Sequence, residues 1–222
     1  MLKNILFSIL LTLSITNLAP AADYPADWWK YVDEQTAPGW EVLPHSAKPG
    51  EVILSKRNEL GIFSNLAYSP FTLDGVSYAS VEGLWQGMKY PDLTLAEDSR
   101  TQVTGWKSTR AEVFLMSSWD SKSAGNAANQ MYVDHGFKLI NYFDHWFIYT
   151  DGKEGSQYHL ELITRAIRAK VTQNPEIKTL LLKTAGLKLR PDHLMSEKVF
   201  PSFKYHVILE GIREELLKEE AL

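Results

Sequence analysis

The sequence contains no cysteine. This absence excludes disulfide bonds, thiolate metal sites, a cysteine nucleophile and a lipidated cysteine. A chain without cross-links must be stabilised by its hydrophobic core. With 222 residues, of which 45% are hydrophobic, the chain is long enough to form one.

Several common signatures of catalysis and nucleotide binding are also missing. The chain has no G-x-S-x-G sequence, no P-loop and no G-x-G-x-x-G fingerprint. Its six histidines show neither H-x-x-x-H nor H-E-x-x-H spacing, and three of them simply follow an aspartate. We therefore expect no catalytic metal and no cofactor.

Long apolar runs are confined to the first residues of the chain. Lys3 precedes an apolar stretch over residues 5–15, and the sequence Ala19-Pro20-Ala21 follows it. This order is typical of a secretory signal peptide cleaved after Ala21, and the apolar run is short for a membrane span. We predict a signal peptide over 1–21 and a periplasmic or secreted protein with no membrane span after cleavage. An uncleaved anchor is the alternative.

The charge balance is acidic, with a formal net charge of −4. Removing residues 1–21 would take away one lysine and no acid, which makes the rest of the chain more acidic still. Non-specific binding to duplex nucleic acid depends on neutralising phosphates, so we do not expect it here. A net acidic chain can still contain a local basic pocket.

The remainder divides into a lead-in and one domain. Residues 22–50 are rich in tryptophan, proline and glycine, and residues 51–222 show no repeat or linker. We predict that Trp28, Trp29 and Trp40 pack the lead-in across the domain, because indole rings bury a large area. Stacking of one of them on a substrate is the alternative.

Local signals predict an α+β fold, a mostly helical single domain with a small antiparallel sheet near its start. Asp74-Gly75 between two short β-rich segments indicates a hairpin over 71–78. Ser80 is a plausible N-cap for a helix ending near Tyr90, before a proline. Further helices are predicted over 110–119, 157–173, 175–185 and 205–218, strands over 51–54 and 146–149, a loop over 92–108, and a loop or weak helix over 121–130.

The predicted helix after Ser80 carries polar groups on one face. At about 100° per residue, Glu82, Trp85, Gln86 and Lys89 fall on one side. A carboxylate in the first turn favours its ionised form and suits a base or a group that stabilises a developing cation. Spacing alone leaves open that Glu82 only stabilises the start of the helix.

Three blocks of sequence resemble a known family. The segment FSNLAYSPFTLDGVSYASVEGLWQGMKY resembles the opening motif of the NADAR family, also described as riboflavin-biosynthesis-intermediate N-glycosidases. ITRAIRAKVTQNPEIKTLLLKTAGLKL resembles a second family block, and YHVILEGIREELL resembles its closing helix. The resemblance extends over about 58–217, and the first block is the most specific.

This resemblance implies an α+β, largely helical fold and cleavage of an N-glycosidic bond to ribose. The substrates it implies are phosphoribosylamino-pyrimidines or ADP-ribose attached to a base or protein. It assigns the catalytic glutamate to Glu82 and the motif lysine to Lys89. The remaining motif positions fall on Ser64, Asn65 and Gln86.

Three features depart from the family pattern. Asp192 is a candidate for a second acid that contacts substrate, but the Trp-Gly that follows this acid in many relatives is missing. Gly83 stands where many relatives have histidine. A signal peptide also argues against a riboflavin intermediate as substrate, because those are made in the cytoplasm.

Together these features predict a metal-independent hydrolase that cleaves an N-glycosidic bond in a nucleotide or ADP-ribosylated substrate. Glu82 would act at the ribose, Lys89 would hold a phosphate or hydroxyl or assist the leaving group, and Trp85 would form a wall. Alternatives are an inactive nucleotide- or ADP-ribose-binding protein of the cell envelope, or a structural envelope protein whose lead-in docks a partner. Trp106 and Trp119 are expected in the core or at a rim rather than stacked on a base, and Arg165, Arg168 and Lys170 on a solvated helix face.

Overall fold

The computed structural model describes residues 23–221, so the predicted signal peptide lies outside the described residues. Helices are the main secondary structure, and three of them exceed fifteen residues. They are α1 (Val81–Gly87), α2 (Arg110–Phe114), α3 (Ser118–His135), α4 (Glu154–Gln173), α5 (Pro175–Lys183) and α6 (Tyr205–Glu220). Within the described range, no helix has the length and apolar composition needed to cross a bilayer.

Six short strands pair into three two-stranded sheets. The strands are β1 (Glu51–Ile53), β2 (Phe71–Leu73), β3 (Val76–Tyr78), β4 (Ile140–Tyr142), β5 (His145–Phe147) and β6 (Lys188–Arg190). The pairs β2–β3 and β4–β5 are antiparallel hairpins, whereas β1 pairs with β6 in parallel. The protein is thus an α+β domain, as predicted, and the hairpin over 71–78 is confirmed. Strand β4, the partner of β5, and strand β6, the partner of β1, were not predicted, because the residues of neither segment indicate a strand by themselves.

Helix α4 forms the centre of the core and shows one clear error of the sequence prediction. Ile163, Ile167 and Val171 are buried on the stripe that the periodicity indicated. Lys170, expected on the solvated face, is only 1% exposed, and its Nζ donates to the carbonyl oxygen of Ser64 over 2.8 Å. Burial lowers the pKa of Lys170 to about 7. This contact ties α4 to the turn that carries Ser64.

Helix α3 covers the segment 121–130 for which a loop or weak helix was predicted. Its inward face consists of small residues, among them Ala124, Gly125 and Ala128, all buried. Small side chains let α3 approach α1 closely, so that a Cβ on Gly125 would lie 2.0 Å from Oε1 of Gln86. A helix that packs through small residues has no large apolar stripe, which is why periodicity did not reveal it.

Two further predictions, one of a helix end and one of a loop, were also wrong. Helix α2 ends at Phe114 instead of 119, because the chain turns before α3 begins at Ser118, which has a φ of +53°. The predicted loop over 92–108 contains a short 3-10 helix, Ser99–Gln102. In it the buried Arg100 pairs with Asp98 over 2.7 Å and donates to the carbonyl oxygen of Met88 over 3.1 Å. That bond anchors the end of α1.

The lead-in packs against the domain through two of its three tryptophans. Trp28 is fully buried and donates to the carboxylate of Glu59, and Trp29 donates to the carbonyl oxygen of Glu51, both over 2.9 Å. Trp40 differs from the expectation, because 48% of its surface remains exposed.

Candidate active site

A cavity of about 640 Å³ is lined by side chains from distant parts of the sequence. The turn after the 3-10 helix Glu59–Phe63 contributes Ser64 and Asn65, and α1 contributes Glu82 and Trp85. Helices α3 and α4 and the segment 193–205 complete the wall. Four of the seven predicted site residues therefore line one cavity, although the chain separates the first from the last by about twenty positions.

The start of α1 places Glu82 at this cavity. The Ser80 hydroxyl caps the helix by accepting from the Gly83 amide over 2.9 Å, which confirms Ser80 as the N-cap. The backbone amide of Glu82 donates to the carbonyl oxygen of Asn65 over 2.9 Å. These two bonds fix the helix to the Ser64–Asn65 turn, so both motif segments meet at one wall.

Gln86 orients the carboxylate of Glu82 and does not line the cavity. Its side chain is only 3% exposed, and Nε2 donates to Oε1 of Glu82 over 2.7 Å. The amide is confined between that carboxylate and Gly125 of α3. One carboxylate oxygen of Glu82 is thereby held in place, while Oε2 accepts no hydrogen bond within residues 23–221.

Lys89 lies outside the cavity, behind Trp85. The side chain is 4% exposed, and its Nζ donates to Oδ1 of Asn129 over 2.8 Å. The same Nζ lies 4.6 Å from the centroid of the Trp85 ring, within the range of a cation–π contact. Burial lowers the pKa of Lys89 to about 8, although the charge of Glu82 opposes this shift. The helical wheel gave Lys89 the same side as Glu82 but could not show that an indole separates it from the cavity.

An aromatic cluster supports Trp85 and includes a histidine that the sequence did not reveal. Trp85 is 8% exposed, and its ring lies 4.4 Å from His159, 4.7 Å from Tyr149 and 5.8 Å from Phe203 between centroids. His159 is fully buried at the cavity wall, and neither ring nitrogen has a partner in the part of the chain that the structure describes. Its position four residues before Ile163, on the buried stripe of α4, was the available signal.

The buried His159 makes the free energy of unfolding depend on pH. Burial, assisted by the charge of Lys89, lowers its pKa to about 3, from about 6.5 in an unfolded chain. Below pH 6.5 the unfolded chain therefore binds a proton that the folded protein does not, and stability decreases. We expect His159 to lower the free energy of unfolding by about 2 kcal/mol between pH 7 and pH 5. Half-buried His206, with a pKa lowered to about 4, acts in the same direction.

This expectation is checked by urea unfolding of wild type and His159→Phe at several pH values between 5 and 7. The variant keeps an aromatic ring in the cluster and should lose much of the pH dependence. His135→Gln, at an exposed position near the end of α3, is the control and should keep the wild-type slope. An unchanged slope in His159→Phe would show that this ring is not buried in its neutral form.

Asp192 contacts residues of the cavity wall and does not itself line the cavity. It is 2% exposed, forms an ion pair with Lys56, and lies 2.9 Å from Nδ1 of His193. Burial raises its pKa, but the contacts with His193 and Lys56 outweigh this effect and hold the pKa below its ordinary value. Lys56, His193 and Tyr205 line the cavity in its place. The acid that sequence suggested as a second substrate contact thus binds protein groups.

The mouth of the cavity carries exposed groups, among them Trp119, which was expected in the core or at a rim, Trp40, which was expected to pack the lead-in against the domain, and Lys122, which the sequence did not single out. Trp119 is 67% exposed and Trp40 48%, and both line the cavity with Lys122. Trp106 does not, and packs against Tyr90 with 5.4 Å between ring centroids. In residues 23–221, no group of three His, Asp or Glu side chains is placed to hold a metal ion. Independence from metal stays a prediction.

Comparison with known proteins adds one distant similarity. No family model and no curated protein matches the sequence. Among solved structures, the chain is similar to the Escherichia coli protein YbiA, determined by NMR, with 22% sequence identity and a TM-score of 0.48. The match covers 75% of this chain and 84% of YbiA. A similarity at this level carries no argument about function.

Proposed function

We propose that this protein is a metal-independent N-glycoside hydrolase that cleaves a bond between ribose and a nitrogen base. The supporting observation is the carboxylate of Glu82, which lies at a cavity wall with one oxygen held by Gln86 and the other without a hydrogen-bond partner in the described structure. The resemblance of the sequence to the NADAR family adds the class of bond. Both lines of reasoning meet on the same glutamate.

The proposed reaction needs one carboxylate on the ribose side of the glycosidic bond. Cleavage of a glycosidic bond develops positive charge on the sugar ring, which an ionised carboxylate stabilises, or the carboxylate accepts a proton from the attacking water. The bond from Gln86 holds one oxygen of Glu82 in place, which reduces the reorganisation needed as charge develops. In this proposal the nitrogen of the departing base takes its proton from solvent.

Other wall residues would bind the substrate. Asn65 lines the cavity with Oδ1 buried and without a partner in the described range, so that an amide group is available to a hydroxyl or base edge. Trp85 presents a flat apolar wall. In this conformation Lys89 acts through Trp85 and through its charge near Glu82, and direct contact with a phosphate would require its side chain to leave Asn129.

A binding protein without catalytic activity is the second candidate. The placement of Asp192 favours it, because the only acid that sequence suggested as a partner for Glu82 is occupied by Lys56 and His193. Such a protein would retain the cavity and its affinity for nucleotides, and Glu82 would be dispensable for binding.

A turnover assay separates the two candidates. The protein without residues 1–21 is incubated with ADP-ribosylated guanosine, NAD and a phosphoribosylamino-pyrimidine, each with and without a chelator, and products are identified by mass spectrometry. We expect release of free base from at least one substrate, unaffected by the chelator. Loss of activity with chelator would contradict metal independence. Intact substrates throughout, with thermal stabilisation by ADP-ribose, would support the binding protein.

A further inference from the structure

Trp119 is an exposed aromatic side chain that lies at the mouth of the cavity. Two thirds of its surface is open to solvent, and its indole nitrogen has no hydrogen-bond partner within residues 23–221. A large apolar ring in this position contributes little to the core, and exposed apolar surface beside a cavity is a common property of ligand sites. The ring is available to stack on a planar group.

The chain fixes the place from which this ring extends. Ser118, the first residue of α3, has a φ of +53°, and its amide donates to the carbonyl oxygen of Leu66 over 2.6 Å. A left-handed conformation in a non-glycine residue costs about 1 kcal/mol or more and persists where surrounding contacts enforce it. The bond to Leu66 joins the start of α3 to the Ser64–Asn65 turn, so the backbone that carries Trp119 is anchored beside the cavity wall.

Lys122 adds a positive charge one turn further along α3. Residues three apart share a helix face, and Lys122 lines the same cavity as Trp119 and Glu82. It forms no ion pair or side-chain hydrogen bond within the described part of the chain, and its charge contributes to lowering the pKa of Lys89. Lys56, by contrast, is neutralised by Asp192. An exposed ammonium group on the cavity wall, without a protein partner in the described structure, suits an anionic part of a ligand.

We propose that Trp119 and Lys122 form a subsite for a nucleoside diphosphate, with the indole stacked on the base and the ammonium group against the phosphates. Base–aromatic stacking contributes about 1–3 kcal/mol, and lysine binds phosphate as a point charge. Inorganic phosphate would use only the lysine and a neutral aromatic only the tryptophan, whereas a nucleoside diphosphate uses both. The cavity, at about 640 Å³, lies within the usual size range of sites for ligands of this class.

The subsite deepens the proposed function and rests on it in one respect. If Glu82 acts on a ribose, the half-buried Glu82 would hold the reacting sugar inside the cavity, and the exposed Lys122 and Trp119 would hold the distal nucleoside diphosphate at its mouth. Binding by the subsite does not itself require turnover, so the two proposals fail separately.

Calorimetric titration of the protein without residues 1–21 tests the subsite, with ADP-ribose, ADP, adenosine, ribose 5-phosphate and inorganic phosphate as probes. Trp119→Ala should lower the affinity for ADP and ADP-ribose about 10-fold or more and leave the affinity for ribose 5-phosphate unchanged. Trp119→Phe should restore most of the affinity. Lys122→Gln should weaken both diphosphates and reduce the dependence of their affinity on salt, while leaving adenosine unaffected.

Matched controls remove similar groups outside the cavity. Tyr68→Ala deletes another exposed aromatic side chain, and Lys107→Gln another exposed charge, and neither residue lines the cavity. Both should bind like wild type. The subsite would be overturned if the wild-type protein bound neither ADP nor ADP-ribose. It would also be overturned if Trp119→Ala and Lys122→Gln both bound these ligands as tightly as wild type does. Nucleotide binding with the expected variant effects, together with intact substrates in the turnover assay, would support the subsite and overturn the glycosidase.

Discussion

Replacing Glu82 by glutamine is expected to lower kcat about 1,000-fold while leaving the affinity for ADP-ribose within a few-fold of wild type. Glutamine has the shape of glutamate, and its Oε1 can still accept the bond from Gln86. It cannot take a proton from water or offset positive charge on a ribose ring. The expected loss is therefore confined to the transition state, so kcat should fall and KM should change little.

The measurement is steady-state release of base with the substrate that the turnover assay identifies, together with calorimetric binding of ADP-ribose. Glu176→Gln is the matched control, because Glu176 is also an acidic residue in the first turn of a helix, α5, but is exposed away from the cavity. It should retain full activity. Full turnover by Glu82→Gln would exclude Glu82 as the catalytic carboxylate, and loss of ADP-ribose binding would indicate a structural role instead.

Replacing Gly83 by alanine is expected to lower the free energy of unfolding by about 3 kcal/mol. A Cβ at this position would lie 2.6 Å from the carbonyl oxygen of Met116 and 2.9 Å from that of Val113. Backbone atoms at the end of α2 cannot rotate away as a side chain can, so the helices must separate. The end of α2 and the connection from α2 to α3 occupy the space that a larger side chain at position 83 would need.

Thermal and urea unfolding measure this effect, which corresponds to a Tm lower by about 9 °C in a domain of this size. Gly211→Ala is the control. Gly211 lies within α6 with no atom near its hypothetical Cβ, so alanine there should stabilise by about 1 kcal/mol through its helix propensity. A Gly83→Ala variant as stable as wild type would show that α1 and α2 do not pack as closely as described.

The residues of the candidate site were predictable to different degrees. Ser64, Asn65 and Glu82 matched a recognisable motif, Trp85 was selected by the helical wheel, and all four line the cavity. Gln86 carried the same motif, but only its burial against Gly125 shows that it orients the carboxylate and does not face the cavity. A helical wheel gives the direction in which a side chain leaves its own helix. It does not show which other elements pack against that side chain.

Two other site residues, Lys122 and His159, have no sequence signal that identifies them as part of the site. Lys122 lies in a small, polar segment whose helical state depends on packing against α1. His159 has no chemical partner nearby in the sequence, and its neighbours Trp85 and Phe203 come from distant segments. Burial and proximity of this kind arise only when the chain is folded, because they are set by contacts between residues far apart in sequence.

The sequence by itself determined those features whose causes are local. The hairpin over 71–78, the start of α1 at Ser80 and the boundary between α4 and α5 at Asn174-Pro175 all follow from turn and cap residues that act on their immediate neighbours. The tertiary structure alone decided the parallel pairing of β1 with β6 and the position of Lys89 behind an indole. These are decided by which surfaces meet and exclude water, and no single segment contains that information.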